Sequence, residues 1–235
     1  MLARRIALSF ARLEMTARER ELAFLIADLA GYTALTEAHG NVHAAHAVTR
    51  YAEIALDVLE PGARLLERVG DELLFVAESA PVIVRTAVRL QAAIESEPSF
   101  PLIRCGIHMG AVVEEGGRYF GTALNLTARV ASHARGAEIL CTARIADEAA
   151  AALTEVRFSP LGSTSFKNLV DPVALYEVVH AGRGAEPTAV DPVCRMQVRP
   201  EAAPARLPFE GETYFFCSFD CAKAFAARPE RYTGR

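Results

Sequence analysis

Residues 63–77 read ARLLERVGDELLFVA. Two strand-like runs, 63–69 and 72–77, flank Gly70-Asp71, a hairpin signal that puts a carboxylate at the tip. Upstream, residues 42–59 carry Val48, Ala52, Ala55 and Leu59 at helical spacing, and Pro61-Gly62 stops that helix. Before it, LAFLIADL (22–29) is a continuous apolar run of strand length ending in an acid. Downstream, Ile83, Ala87, Leu90 and Ile94 repeat helically, and PLIRCGIHMGAVV (101–113) is strand-like again. Residues 121–135 read as helix, EILCT (138–142) as a strand and ALYEVV (174–179) as a last strand. The order is β-α-β-β-α-β with additions, which predicts a ferredoxin-like α+β sandwich.

The chain of 235 residues is 51% hydrophobic and 23% charged, with 12 prolines, a globular composition rather than a disordered or fibrous one. A net charge of −4 and the lack of a sizeable basic block argue against nucleic acid as a partner. No stretch reaches the roughly 18 apolar residues that a membrane span needs. The apolar run Ile6–Ala11 is too short for a secretory signal, so residues 1–20 are expected to form an N-terminal extension, with Met15 as an alternative start. The expected location is the cytoplasm. Residues 181–190, small and polar with a proline, read as a linker between a larger domain (21–180) and a tail (191–235). The 5 cysteines are odd in number, and Cys194, Cys217 and Cys221 crowd the tail while Cys105 and Cys141 lie apart. That pattern points to thiols or a metal site in a reducing compartment, not to a disulfide framework.

The chemistry sits where elements end. If the first and third strands are neighbours, Asp71 falls beside Asp28, and two carboxylates there suit Mg²⁺ or Mn²⁺. Between them LAGYTAL (29–35) enters a helix, where backbone N–H groups freed by Gly31 can cradle a phosphate chain. Asn125 and Arg129 stand at i and i+4 on one helix face, an amide to position a ribose and a guanidinium to stabilise developing phosphate charge. His39, His43 and His46 have helix-like spacing, but without a supporting acid pattern they read as partly solvated helix residues.

FLIADLAGYTAL, RVGDELLFV, RCGIHMGAVV, YFGTALNLTARV and FKNLVDPVALYEV occur in that order. Together they resemble the class III adenylate/guanylate cyclase catalytic domain over about residues 21–180. The resemblance implies conversion of a nucleoside triphosphate to a 3′,5′-cyclic nucleotide and pyrophosphate. It implies two metal ions on Asp28 and Asp71, helped by the Leu29 carbonyl, with Gly31, Tyr32 and Thr33 at the phosphates. Asn125 would orient the ribose, Arg129 would stabilise the transition state and Lys167 would touch terminal phosphate. A homodimer is implied, because in that family the acids and the Asn/Arg pair come from different protomers. The base-reading positions correspond to Glu67 and Arg118, a pair that leaves ATP and GTP both open. That pair, and a GGRY stretch shorter than the family's arm, leave open a second expectation: a nucleotide-binding regulatory dimer with little turnover.

In the tail, DPVCRMQV (191–198), FEGETYFFCSFDCAKAF (209–225) and PERY (229–232) resemble the YHS domain, a small metal-associated module. The resemblance implies zinc or copper(I) on Cys194, Cys217 and Cys221, since thiolates select soft ions. Arg195 stands where family copies carry glycine. No histidine follows His180, so a fourth ligand is left to Asp220, Asp191, water or a second chain. The competing expectation is that three buried cysteines pack a mini-core beside Phe215, Phe216 and Phe225.

Overall fold

The computed structural model describes residues 18–181 and 188–233. Strand β1 (Arg18–Leu29) is followed by helix α1 (Tyr32–Asp57), the hairpin β2 (Ala63–Val69) and β3 (Glu72–Ala77), helix α2 (Ala80–Ser96) and β4 (Ile103–Glu115). Then come β5 (Arg118–Phe120), α3 (Thr122–His133), β6 (Ile139–Thr142), α4 (Ala143–Ala150), β7 (Val156–Thr164) and β8 (Val173–His180). The main sheet runs β2-β3-β1-β4-β6-β8-β7, with β5 paired to β4. Its first four strands are antiparallel in the ferredoxin-like order, as the sequence pattern predicts.

Alternation along β1 divides its faces. Ala23, Leu25, Ala27 and Leu29 pack in the core shared with α1 and α2, while Leu22 and Phe24 join Val76, Val112 and Ala123 of α3 on the other face. Two glycines of β4 set how closely α3 approaches. A Cβ on Gly106 would lie 2.1 Å from the Ala131 nitrogen, and one on Gly110 would lie 3.2 Å from the Ala123 Cβ. The first leaves room for no side chain at all.

Helix α1 starts ten residues earlier than its apolar pattern shows and is kinked at Gly40, whose φ of 82° and ψ of 165° only glycine adopts readily. Its first segment, Tyr32–His39, carries few apolar residues, so its periodicity is faint in the sequence. Arg18–Arg20, expected as part of an extension, belong to β1 and pair with Glu114–Val112. The expectations for residues 1–17, Met15 included, and for linker residues 182–187 lie outside the described residues. No helix among the described residues is long and apolar enough to cross a membrane.

Strand β9 (Ala189–Val190) takes up the end of the expected linker and pairs with β10 (Gln197–Val198); β11 (Ala205–Phe209), β12 (Glu212–Phe216) and helix α5 (Phe219–Ala227) complete the tail. The tail does not sit apart from the larger domain. Val193, Cys194, Met196, Phe216, Cys221, Ala222 and Phe225 belong to the same buried cluster as α1, α2 and the sheet. The buried Gln197 amide donates to the carbonyls of Ile94 (2.7 Å) and Glu97 (2.9 Å) at the end of α2, where the Ile94 carbonyl also accepts from the Glu97 N–H (3.1 Å).

His108 in β4 is half-buried and contacts the Thr142 hydroxyl through Nδ1 at 2.9 Å. Burial, with Arg144 adding repulsion, pushes its pKa down to about 4. A histidine lowered in the fold stabilises it fully above its unfolded value and loses that contribution as pH falls toward 4. Thermal melts of the protein should therefore lose up to about 3 kcal/mol between roughly pH 6.5 and 4. His108→Gln should flatten that limb; an unchanged acid limb in the variant would contradict the assignment.

Candidate active site and thiolate cluster

Asp28 lies next to the end of β1, and its register opposite Glu72 on β3 and Arg104 on β4 brings two carboxyls and a guanidinium to one sheet end. Arg104 donates from Nε to Asp28 Oδ2 at 2.8 Å, and its Nη2 takes the same oxygen. Asp71, in the turn between β2 and β3, has its pKa raised to about 6 by burial, then by a hydrogen bond and repulsion from Asp28. Glu72 is also pushed up, by burial first and by Asp28 next. Three half-buried carboxyls, Asp28, Asp71 and Glu72, thus share one guanidinium, an oxygen-rich cluster whose chemistry fits a hard divalent cation.

Gly31, at φ 91°, caps the N-terminus of α1 in the left-handed conformation and turns the chain from the Asp28 strand into the helix. Leu29 is buried; Tyr32 packs on the core and Thr33 is exposed. Thus Asp28, Asp71 and the Gly31 turn come together at one end of the sheet. Asn125 is exposed and Arg129 half-buried on α3, packed against the opposite face of β1 and β4 from α1. Glu67 and Arg118 are exposed, the first beside a bulge in β2 and the second in β5. Lys167 is exposed in the connection between β7 and β8.

The tail thiols converge on a residue that the sequence reading set aside. His39 of α1 joins Cys194, Cys217 and Cys221, with all four ligand atoms within 4.8 Å of one another. Cys217 Sγ lies 3.4 Å from Cys194 Sγ, 3.7 Å from Cys221 Sγ and 3.4 Å from His39 Nε2. Cys221 Sγ lies 3.7 Å from His39 Nε2. A zinc tetrahedron with Zn–S near 2.3 Å has edges of about 3.6–3.8 Å, so three thiolates and an imidazole already stand at ligand spacing. His39 is thus corrected from a solvated helix residue to a member of this cluster. Asp191 is buried and serves both halves of it from outside. Its Oδ1 accepts from the N–H of Val193 (2.8 Å) and Cys194 (3.3 Å), and its Oδ2 from the N–H of Cys217 (2.8 Å). Asp220 points to a different partner, Lys223, at the surface.

The Cys221 thiol is pulled down because Cys194 and Cys217 donate to it, and the Cys194 thiol is pushed up by the same contacts. By contrast Cys105 and Cys141 are buried thiols raised by desolvation and take no part. Asp191→Ala should weaken zinc binding about 10- to 100-fold, as removal of an orienting partner does. Competition against a chromophoric chelator measures this, and wild-type affinity in the variant would deny Asp191 its role.

Residues 189–235 match the model of the YHS domain. An adenylate cyclase of Streptomyces griseus is 34% identical over 136 residues, covering 57% of this chain and 34% of that protein. Among solved structures, an adenylate/guanylate cyclase/hydrolase from Silicibacter pomeroyi is 26% identical, with a TM-score of 0.58 over 69% of this chain and 98% of its own. An adenylate cyclase of Trypanosoma brucei, solved in its monomeric state, reaches a TM-score of 0.63 at 19% identity over 69% of this chain and 89% of its own. The larger domain has the class III cyclase catalytic fold. The YHS domain, residues 189–235, follows it in sequence. The chain spans about one third of the length of the curated cyclases that it matches.

Proposed function

We propose that the larger domain cyclises a nucleoside triphosphate, ATP or GTP, to the 3′,5′-cyclic nucleotide and pyrophosphate. The observation that carries this reading is the meeting of Asp28 and Asp71 beside the Gly31 turn. Asp28 and Asp71, with the Leu29 carbonyl, would hold two Mg²⁺ or Mn²⁺ ions. Those ions would supply Lewis acidity to the 3′ hydroxyl and the triphosphate. The N–H groups of Tyr32 and Thr33 receive the phosphates at the helix entry, and Lys167 adds charge at the terminal phosphate. The 3′ oxygen gives up its proton to solvent and attacks the α-phosphorus; the bond from the α-phosphorus to the α–β bridging oxygen breaks and its electron pair leaves on pyrophosphate.

Asn125 orients the ribose and Arg129 stabilises charge on the α-phosphoryl oxygens, both lent by a second copy of the chain. Val69, beside the Gly70-Asp71 tip, and Phe120, just before α3, are exposed apolar residues that a second copy would cover. Glu67 and Arg118 would face the base, and cytoplasmic placement with the YHS thiols reduced belongs to the same reading.

A second reading draws support from the Asp28–Arg104 pair, which already neutralises one carboxylate. In it the domain binds nucleotide as a regulatory dimer without turnover. Incubation with Mn²⁺ and either ATP or GTP, over a range of protein concentrations, separates the two. Cyclic nucleotide and pyrophosphate in equal amounts support the cyclase; nucleotide binding without product supports the regulator.

A further inference from the structure

The YHS domain touches the larger domain at both ends of one short helical segment. His39, at the Gly40 kink, joins the three thiols. Gly31, eight residues back, carries Arg195 on its surface: a Cβ there would lie 2.4 Å from the Arg195 Cβ and 2.6 Å from its Cγ. Eight residues of helix span about 12 Å, so the thiolate cluster and the phosphate turn are fixed to one rigid two-turn rod.

Arg195 is held against its own backbone preference. It adopts a φ of 67°, the left-handed conformation that a glycine would take freely and that is unfavourable for a residue with a Cβ. The turn is therefore preserved while a guanidinium is added to it. Arg195 is exposed, next in sequence to the ligand Cys194, and its Cβ and Cγ rest on the turn that receives phosphates in the reading above. Strain retained at such a place is characteristic of a residue with a task.

We propose that one zinc-class ion, held by Cys194, Cys217, Cys221 and His39, clasps the YHS domain onto the first segment of α1 and seats Arg195 at the Gly31 turn as an added contact for the substrate's triphosphate. The donor set favours this ion class, because three thiolates and one imidazole at tetrahedral spacing make a closed structural zinc site. The ligands come from two domains, so the ion stabilises their union and not the tail alone. The Arg195 part rests on the nucleotide-site reading; the clasp does not.

Cobalt(II) titration of the reduced full-length protein tests the clasp. Wild type should take up one ion with the visible bands and thiolate charge transfer of a tetrahedral site, displaced by zinc. His39→Ala should bind at least tenfold more weakly with an altered spectrum, and His39→Gln likewise. His46→Ala, an exposed change on the same helix, should match wild type. Wild-type binding and spectrum in both His39 variants would overturn the clasp.

Equilibrium binding of a non-cyclisable triphosphate analogue tests the second part without turnover. Arg195→Gly relieves the backbone strain, so misfolding cannot explain a loss. It should keep its metal yet bind the analogue at least fivefold more weakly, and zinc-stripped wild type should show the same weakening. Wild-type affinity in both would remove Arg195 from the phosphate site. A protein that binds no analogue in any form would instead strike at the nucleotide reading, leaving the cobalt result to stand or fall alone.

Discussion

Asp71→Asn should lower the proposed cyclic-nucleotide formation at least about a thousandfold, the loss expected if this carboxylate helps hold catalytic divalent ions. The same change should stabilise the protein when no divalent ion is present. The Asp71 carboxyl is raised to about 6 by burial and by Asp28, so the fold favours its protonated form. That contribution is complete below the ordinary carboxylate range and is lost as pH rises through about 6. At neutral pH the ionised pair is therefore a strain that asparagine, close in size and uncharged, removes. Melting without metal should show a larger gain for the variant at pH 7.5 than at pH 5, and Mn²⁺ should raise the melting temperature of wild type more than that of the variant. Turnover at the wild-type rate by Asp71→Asn, with Mn²⁺ saturating, would sink the metal role of this residue and with it the proposed chemistry.

Gly106→Val is expected to be the most damaging single change outside the acids. The added Cβ meets the backbone of α3, at 2.1 Å from the Ala131 nitrogen and 2.5 Å from its Cα, and helix backbone cannot move aside as a side-chain tip can. The helix that carries Asn125 and Arg129 has to lift from β4. Overpacking of this kind costs upward of about 3 kcal/mol, which corresponds to a melting temperature lower by about 6–12 °C for a chain of this size. The proposed cyclase activity should vanish with it. Gly116→Ala is the comparison: it meets nothing within 4 Å and pays only for its φ of 58°, about 1 kcal/mol. Equal melting temperatures for Gly106→Val and wild type would refute the packing argument.

Legibility of this architecture in the sequence followed the strength of local patterns. The β2–β3 hairpin, with Asp71 in its turn, was readable to the residue because two apolar runs flank a Gly-Asp pair. Helices α2 and α3 were readable because each buries one clear stripe. For α1 the entry at 29–35 was readable but its run on to residue 42 was not, since Thr33, Glu37 and Ala38 face solvent and only Leu35 in that first segment is fully buried. Helix α4 and strand β7 were also missed. The first has only eight residues, and the second is a sheet edge broken by a bulge at Pro160–Gly162. For the candidate sites, motif order named Asp28 and Asp71, which the fold brings together, and the three thiols, which converge; Asn125 and Arg129 stand on α3 as proposals. His39 was not assignable, because its partners lie more than 150 residues away and nothing local distinguishes it from His43 or His46. The close seat of Arg195 on Gly31 is likewise a product of tertiary packing, although its substitution for glycine was visible.

The shared interior of the two modules carries a consequence for how they could be inherited or recombined. Gln197 completes the end of α2, its N–H bonds the Phe100 carbonyl, and Met196 bridges Pro101. A YHS segment grafted onto an unrelated cyclase would lack these complementary groups and present Met196 and Val193 to water. Calorimetry on the intact chain should accordingly record a single heat-absorption peak, the mark of one cooperative body whose modularity exists in the text of the gene and not in the solid.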